Sequence, residues 1–424
     1  MDFISNLFNS VLAPAFNLFL FLLTFALPII LAIIFFKIWQ HYIRTDYINQ
    51  QEFILLEIKI SKDITKTPLA MEVFLTSIWQ SGAVTYTDTY WIGKTRPWFS
   101  LELVSIGGNV RFFIWAQEKF RGLIETQIYA QYPTVEIYEA EDYVKDVQYD
   151  PSKFTVWGTY WKLDEKDVYP IKTYIDYGLD KSAGEDEEFK VDPFTAVTEY
   201  LGSLKAGEQV WIQILIQVHK KEGLREGRLF KEENWKNEAK EEIEKIRKEA
   251  TPEIEGSDFP GFPNPTKGQV EKISAIERSL GKYPFDTMIR GFYIAKNESF
   301  NAANIPALIG SIRQYNSLSL NKFGLGWYTD HSDNTKDWIN IFSWVPGVKN
   351  YMAKLRTSYE KHMLEAYKMR SFFRPPYHDY NAEPFILTTE ELATIYHFPG
   401  QVATTPTLTR IEAKKAKPPS NLPI

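Results

Sequence analysis

Trp98-Phe99-Ser100-Leu101-Glu102-Leu103-Val104-Ser105-Ile106 and Val110-Arg111-Phe112-Phe113-Ile114-Trp115 flank Gly107-Gly108-Asn109. Aromatic and β-branched residues on both sides of a glycine turn predict a β-hairpin. Upstream, Phe53-Ile54-Leu55-Leu56-Glu57-Ile58-Lys59-Ile60 reads as a strand, and Pro68 then opens a helical pattern through Met71, Phe74, Leu75, Ile78 and Trp79. Downstream, Phe120 to Tyr132 reads as a helix stopped by Pro133, and Val135 to Tyr138 as a strand. Strand, helix, strand, strand, helix, strand is the order of the split βαβ, ferredoxin-like arrangement.

The order is expected to repeat. Val168 to Tyr177 is predicted as a strand, Pro193 to Leu204 as a helix, and Gln209 to Val218 as an alternating strand. After an interruption, Phe285 to Ala295 reads as strand, Ile305 to Tyr315 as helix and Lys322 to Trp327 as a short strand. The interruption, 220–266, has nearly equal numbers of acidic and basic residues, with Glu232/Lys236, Glu241/Lys245 and Glu244/Lys248 at i,i+4. Such balance suits a solvated helical hairpin better than a partner-binding arm. Val270 to Leu280 continues as helix. The expected class is therefore α+β: an N-terminal transmembrane helix, two tandem ferredoxin-like (split βαβ) units each with a four-stranded sheet, a charged helical insertion and an extended C-terminal tail. The expected divisions are 1–46, 47–145, 146–330 and 331–424.

No charged side chain occurs between Asp2 and Lys37, and Leu18 to Phe36 is apolar except for Thr24. At about 1.5 Å per residue this run approaches a hydrocarbon core of roughly 30 Å. A cleaved signal peptide needs a cationic start, and none precedes Lys37. An uncleaved anchor from Leu18 to Phe36 is expected, and Lys37 and Arg44 behind it place the N-terminus outside and the bulk in the cytoplasm. Phe3, Ile4, Leu7, Phe8, Val11 and Leu12 suit either a short interfacial helix or an extended start of the span.

Composition and motifs narrow the chemistry. With 48 Lys+Arg against 54 Asp+Glu, the net charge of -6 argues against a nucleic-acid coat. The absence of cysteine removes disulfides, thiolate nucleophiles and zinc ribbons. Gly93-Lys94-Thr95 ends like a phosphate-binding loop, but Asp88 stands where its first glycine is required. Gly324-Leu325-Gly326 lacks its third glycine, since Thr329 occupies that place. The histidines show no ligand-pair spacing, and there is no G-x-S-x-G. Arg290-Gly291-Phe292 starts an RNA-recognition pattern that Tyr293 and Ile294 then break. The aromatics of Trp98-Phe99, Phe112-Phe113 and Trp115 read as core before they read as a base-stacking platform. No catalytic, cofactor-binding or metal residue is assigned, and no enzyme is expected.

In the tail, Thr388 and Thr389 precede Glu390 and Glu391 as a helix start, and Leu392, Ile395, Tyr396 and Phe398 give a short apolar face. A face this small must dock, either on the chain's own second unit or on a partner. Pro418, Pro419 and Leu422 belong to the proline-rich ending. Four stretches, Ile60 to Glu72, Arg96 to Glu102, Gln127 to Pro133 and Leu387 to Gly400 with Thr404-Thr405-Pro406 and Pro418 to Pro423, resemble a family of bacterial membrane proteins of unknown function encoded with, or fused to, conjugation-type ATPases of type IV secretion. In fused relatives the Glu-Glu-Leu-Ala segment leads toward a HerA-like or coupling-protein-like nucleoside-triphosphatase. The resemblance implies a non-catalytic accessory or scaffold subunit in the bacterial cytoplasmic membrane that docks such an ATPase in trans through the tail residues named above. A membrane-tethered single-stranded nucleic-acid-binding protein and a self-assembling membrane scaffold remain as alternatives.

Overall fold

The computed structural model describes residues 13–61, 66–80, 82, 84–180, 191–220, 235–251, 263–329, 348–373 and 383–400. The expected N-terminal interfacial segment, much of the charged insertion and Pro418, Pro419 and Leu422 lie outside them. The described residues fall into two compact units. The first is drawn from Met1–Gln51 and Ala83–Thr95, the second from Glu52–Gly82, Arg96–Lys221 and Lys231–Ile424.

In the first unit, helix α1 runs Ala13–Asn49 with Pro28 inside it. Phe21, Phe25, Ile29, Phe35 and Ile38 are exposed along it, and it is long and apolar enough to cross a membrane. The predicted span lies within it.

In the second unit one mixed fold of helices and antiparallel strands replaces the two separate four-stranded sheets expected. The strands are β1 (Phe53–Lys59), β2 (Trp98–Ile106), β3 (Asn109–Gln117), β4 (Glu136–Glu139), β5 (Phe154–Leu163), β6 (Glu208–Val218), β7 (Pro284–Lys296), β8 (Phe323–Tyr328) and β9 (Phe385–Thr388). They form a single nine-stranded sheet in the order β4-β1-β3-β2-β6-β7-β5-β8, with β9 also paired to β7. Both halves of the chain meet at β2 and β6, which pair without interruption from Trp98↔Gln217 to Ile106↔Gln209. The β2–β3 hairpin turns through Gly107 (φ +59°) and Gly108 (φ +86°). A Cβ on Gly108 would lie 2.7 Å from the Leu204 carbonyl oxygen, so close approach as well as φ demands glycine.

Strand alternation gives the sheet two faces. On one, Ile54, Leu56, Leu101, Phe112, Ile212 and Ile289 share a core with helices α2 (Leu69–Ser77), α3 (Arg121–Gln131), α4 (Phe194–Gly202) and α7 (Asn304–Ile312). Pro68 and Pro193 immediately precede α2 and α4, as expected. Helices α5 (Trp235–Glu249) and α6 (Lys267–Leu280) form a smaller core, in which Trp235, Ala239, Ile243 and Ile246 meet Ile276 and Val168. The charged insertion is thus amphipathic in its described part. The other sheet face receives the end of α8 (Val348–Lys368) and residues 370–373.

The predicted strand at Val168 to Tyr177 is not there; those residues are loop and turns, and β5 lies earlier, at Phe154–Leu163. Pro170 cannot donate to a ladder, and β5 takes a central place that needs every donor. The helix expected to start after Thr388 is there as α9 (Thr389–Ile395), capped by Thr388; it is built into the core together with β9, which the sequence did not predict.

Candidate functional site

Two clusters of buried polar side chains stand out, one on each face of the sheet, and both are made by the C-terminal part of the chain seating on the strands. The first is centred on Glu102 of β2, whose carboxylate is fully buried. One oxygen accepts hydrogen bonds from Ser100 Oγ at 2.7 Å, Gln213 Nε2 at 2.8 Å and Arg370 Nε at 2.9 Å. The other accepts from Tyr143 OH at 2.8 Å and Arg370 Nη2 at 3.0 Å. Gln213 faces Glu102 across the β2–β6 seam and in turn accepts from Arg290 Nε at 2.6 Å. Arg290 donates onward to the carbonyls of Ala366 at 2.8 Å and Ser371 at 3.2 Å. Tyr143 and Tyr367 share a 2.8 Å hydroxyl contact, and Arg370 also engages Asp142.

Two guanidinium groups and two carboxylates balance in charge. Burial pushes the Glu102 carboxyl up, but the Arg370 charge and the hydrogen bonds from Arg370, Ser100 and Gln213 together outweigh it and hold the group below the usual carboxylate range. Burial also keeps the Tyr143 and Tyr367 hydroxyls protonated, their pKa values well above the ordinary tyrosine value. With Glu102 and Arg290 at 0% exposure and Arg370 at 1%, no substrate reaches these groups. What the arrangement can do is tie three strands to the end of α8 at one geometry.

The second cluster receives β9 and α9. Glu390, predicted as a partner contact, instead pairs with Arg278 Nε at 3.0 Å and Lys282 Nζ at 3.6 Å. Lys282 also meets Glu72 at 2.6 Å, whose second oxygen accepts from Tyr174 OH at 2.7 Å. Glu391 closes a capping box with Thr388, accepting from Thr388 N and Oγ1 at 2.8 Å each, and accepts from Ile171 N at 3.0 Å. Burial raises the Glu391 carboxyl to about 7, with the Glu390 charge assisting, against the lowering effect of its backbone donors. Tyr396 donates to the Phe113 carbonyl at 3.1 Å, and His397 meets Asp192 at 3.2 Å. Phe398 packs edge-on against Phe112 and Tyr132.

Glu390, Glu391, Leu392, Ile395, Tyr396 and Phe398 are therefore brought together, but inward. Each is at most 7% exposed, so of the two dockings expected, on the chain itself or on a partner, this face takes the first and covers the chain's own core. The physical reason is the pairing of Phe385–Thr388 with Pro284–Thr287, which carries α9 onto the apolar helical face.

Of the other motifs, Gly93-Lys94 follows a single π-helical turn, Asp88–Ile92, and no strand leads into it. Arg290 and Phe292 point into the covered face, and Trp98, Phe99, Phe112, Phe113 and Trp115 are all buried. None is available to stack on a base. Sequence reasoning missed Glu102, Asp142, Tyr143, Gln213, Tyr367 and Arg370. The usable signal was Glu102 and Arg290, lone charges in the middle of apolar strands, which must have buried partners if the strands are covered on both faces.

A family model described as Domain of unknown function (DUF8128) matches residues 49–323. No curated protein matches the chain.

Proposed function

The chain belongs to the DUF8128 family, and we propose that this member is a non-catalytic, membrane-anchored scaffold that holds a motor ATPase, supplied by a separate chain, at the bacterial cytoplasmic membrane. The observation that carries the reading is the pairing of an outward-facing apolar helix, α1, with a sheet whose central polar groups are spent on one another. Side chains satisfied in this way rigidify a platform and leave no poised acid, base or nucleophile. The strand order supports reading the sheet as two split βαβ units, β4-β1-β3-β2 and β8-β5-β7-β6, fused edge to edge at β2 and β6. The secretion setting, with the N-terminus outside and the bulk in the cytoplasm, rests on the sequence resemblance and on Lys37 and Arg44 behind the span.

Burial of Glu390 to Phe398 moves the docking role to the part of the tail beyond them, where Pro418, Pro419 and Leu422 lie. The test is co-purification of the ATPase encoded alongside from detergent-solubilised membranes, with the full chain and with a version ending at Gly400. Capture by the full chain and its loss from the shortened one is the expected result. Equal capture by both excludes the tail, and capture by neither removes the ATPase-scaffold reading.

A further inference from the structure

Residues 84–95 belong with α1 rather than with the sheet. Trp39 Nε1 of α1 donates to the Tyr90 carbonyl at 2.8 Å, and the Phe36 and Tyr90 rings lie 5.7 Å apart. Trp39 and Trp91 meet edge to face at 6.2 Å, and Tyr86 stacks on Tyr90 at 6.3 Å. At the end of the turn Gly93, at φ +72°, sits against the Ile43 carbonyl so closely that no Cβ fits. The loop is thus fixed along α1 from Phe36 to Ile43, about 10 Å of helix axis.

That is the stretch in which the apolar run gives way to Lys37, His41 and Arg44. Having packed Tyr90 and one edge of Trp91 on the helix, the loop turns the rest outward. Trp91 is 74% exposed and Ile92 49%, and on α1 at the same level Ile38 and Tyr42 are 63% and 64% exposed. Tyr86 and Lys94 are exposed on the same loop. Tryptophan and tyrosine concentrated at the end of a span, with lysines beside them, is the composition of the headgroup interface.

We infer that residues 86–94 form a second membrane-contacting element, whose Trp91–Ile92 tip lies among the lipid headgroups of the leaflet that holds the C-terminal end of α1. The occupant of this apolar surface is lipid, because the loop packs on Phe36 and Trp39, where the exposed apolar run of α1 from Phe21 to Ile38 ends. The inference rests on α1 being a membrane anchor.

The chain has no cysteine, so single substitutions place a fluorophore uniquely. Trp91→Cys, Ile92→Cys, Phe25→Cys and Leu318→Cys in the full chain are labelled with an environment-sensitive dye and reconstituted into phosphatidylcholine–phosphatidylglycerol vesicles carrying spin-labelled lipids. Phe25 reports the span, and Leu318, fully exposed on the sheet unit, reports water. The expected result is blue-shifted emission at 91 and 92 that loses most of its intensity to a headgroup-level quencher, with Phe25 quenched by a deep one and Leu318 by neither. Labels at 91 and 92 that behave like Leu318 overturn the inference, as does a blue shift without lipid quenching, which would mean cover by protein. If Phe25 escapes the deep quencher, the anchor itself fails, and this inference with it. Ile92→Cys keeps the test decisive should loss of the Trp91 ring loosen the loop.

Discussion

Arg370 is the described residue other than glycine with a positive φ, +48°, and it holds that conformation while its guanidinium reaches Glu102 and Asp142. Local strain of this kind persists where surrounding contacts fix it. Arg370→Met leaves the Glu102 carboxylate buried without its cation, and a destabilisation of about 3–5 kcal/mol is expected in chemical unfolding of the detergent-solubilised chain followed by near-UV circular dichroism. Adding Glu102→Gln should recover much of that loss; a double variant no better than the single one would show that the ion pair is not the source. Glu391 makes the opposite case. Its carboxyl is raised from an ordinary 4.5 to about 7 chiefly by burial, so the folded state binds its proton more tightly than the unfolded chain. Its contribution is then fully present below about pH 4.5 and is lost as pH rises through 7, a difference of about 3 kcal/mol at about 1.4 kcal/mol per unit. Gln269 already serves the equivalent place in the capping box of α6 with Thr266, so Glu391→Gln should keep the cap. Melting temperatures across pH 5–8 should fall less steeply in that variant. A slope remains, because burial also raises Asp167, to about 6, with the same sign. Of these partnerships only the Thr388–Glu391 cap is visible in sequence spacing, since Glu102 and Arg370 or Glu391 and Ile171 are joined only by the tertiary fold.

At the level of elements, β5 and β7 hold together through glycines that aromatic rings cover. Gly158 of β5 faces Phe292 of β7, and a Cβ there would lie 2.5 Å from that ring. On the opposite face a Cβ on Gly291 of β7 would lie 2.5 Å from the Trp161 ring of β5. Gly158→Ala and Gly291→Ala should each cost about 1–3 kcal/mol by overpacking, read as a lowered unfolding midpoint with unchanged denaturant slope. The two glycines also explain what the sequence conceals here. Phe154 to Leu163 holds Gly158 between Trp157 and Thr159, which weakens its strand pattern, while Val168 to Tyr177 offers β-branched residues around Pro170 without forming a strand. By contrast the β2–β3 hairpin, α2, α3, α4 and β6 were legible because turn glycines, opening prolines and alternation all agree there. β9 was not legible, because four residues carry too little periodicity and its pairing with β7 spans about a hundred positions.

At the largest scale the two halves of the sheet are joined by a full-length strand pairing and by shared polar groups, not merely by a surface. β2 and β6 are neighbours over their full length, and Glu102 draws Gln213 and Arg370 from beyond residue 145. Residues 47–145 and 146–330 expressed separately should therefore fail to give monodisperse folded proteins, since each exposes a long apolar edge strand. Two soluble halves with dispersed amide spectra would show that the seam is an interface between independent domains. The placement of the C-terminal segments has a consequence in time. Tyr367, Arg370, Leu392 and Tyr396 cover parts of the two faces of strands that are complete at Lys296, so on the ribosome those parts stay uncovered while the next hundred or so residues are translated. At about 5–20 residues per second that interval is roughly 5–20 s, long against the collapse of a chain this size. On the proposed anchor reading of α1, a nascent chain waiting at the membrane during those seconds is a substrate for chaperones, and synthesis arrested before Phe385 leaves a product fit for proteolysis rather than for assembly.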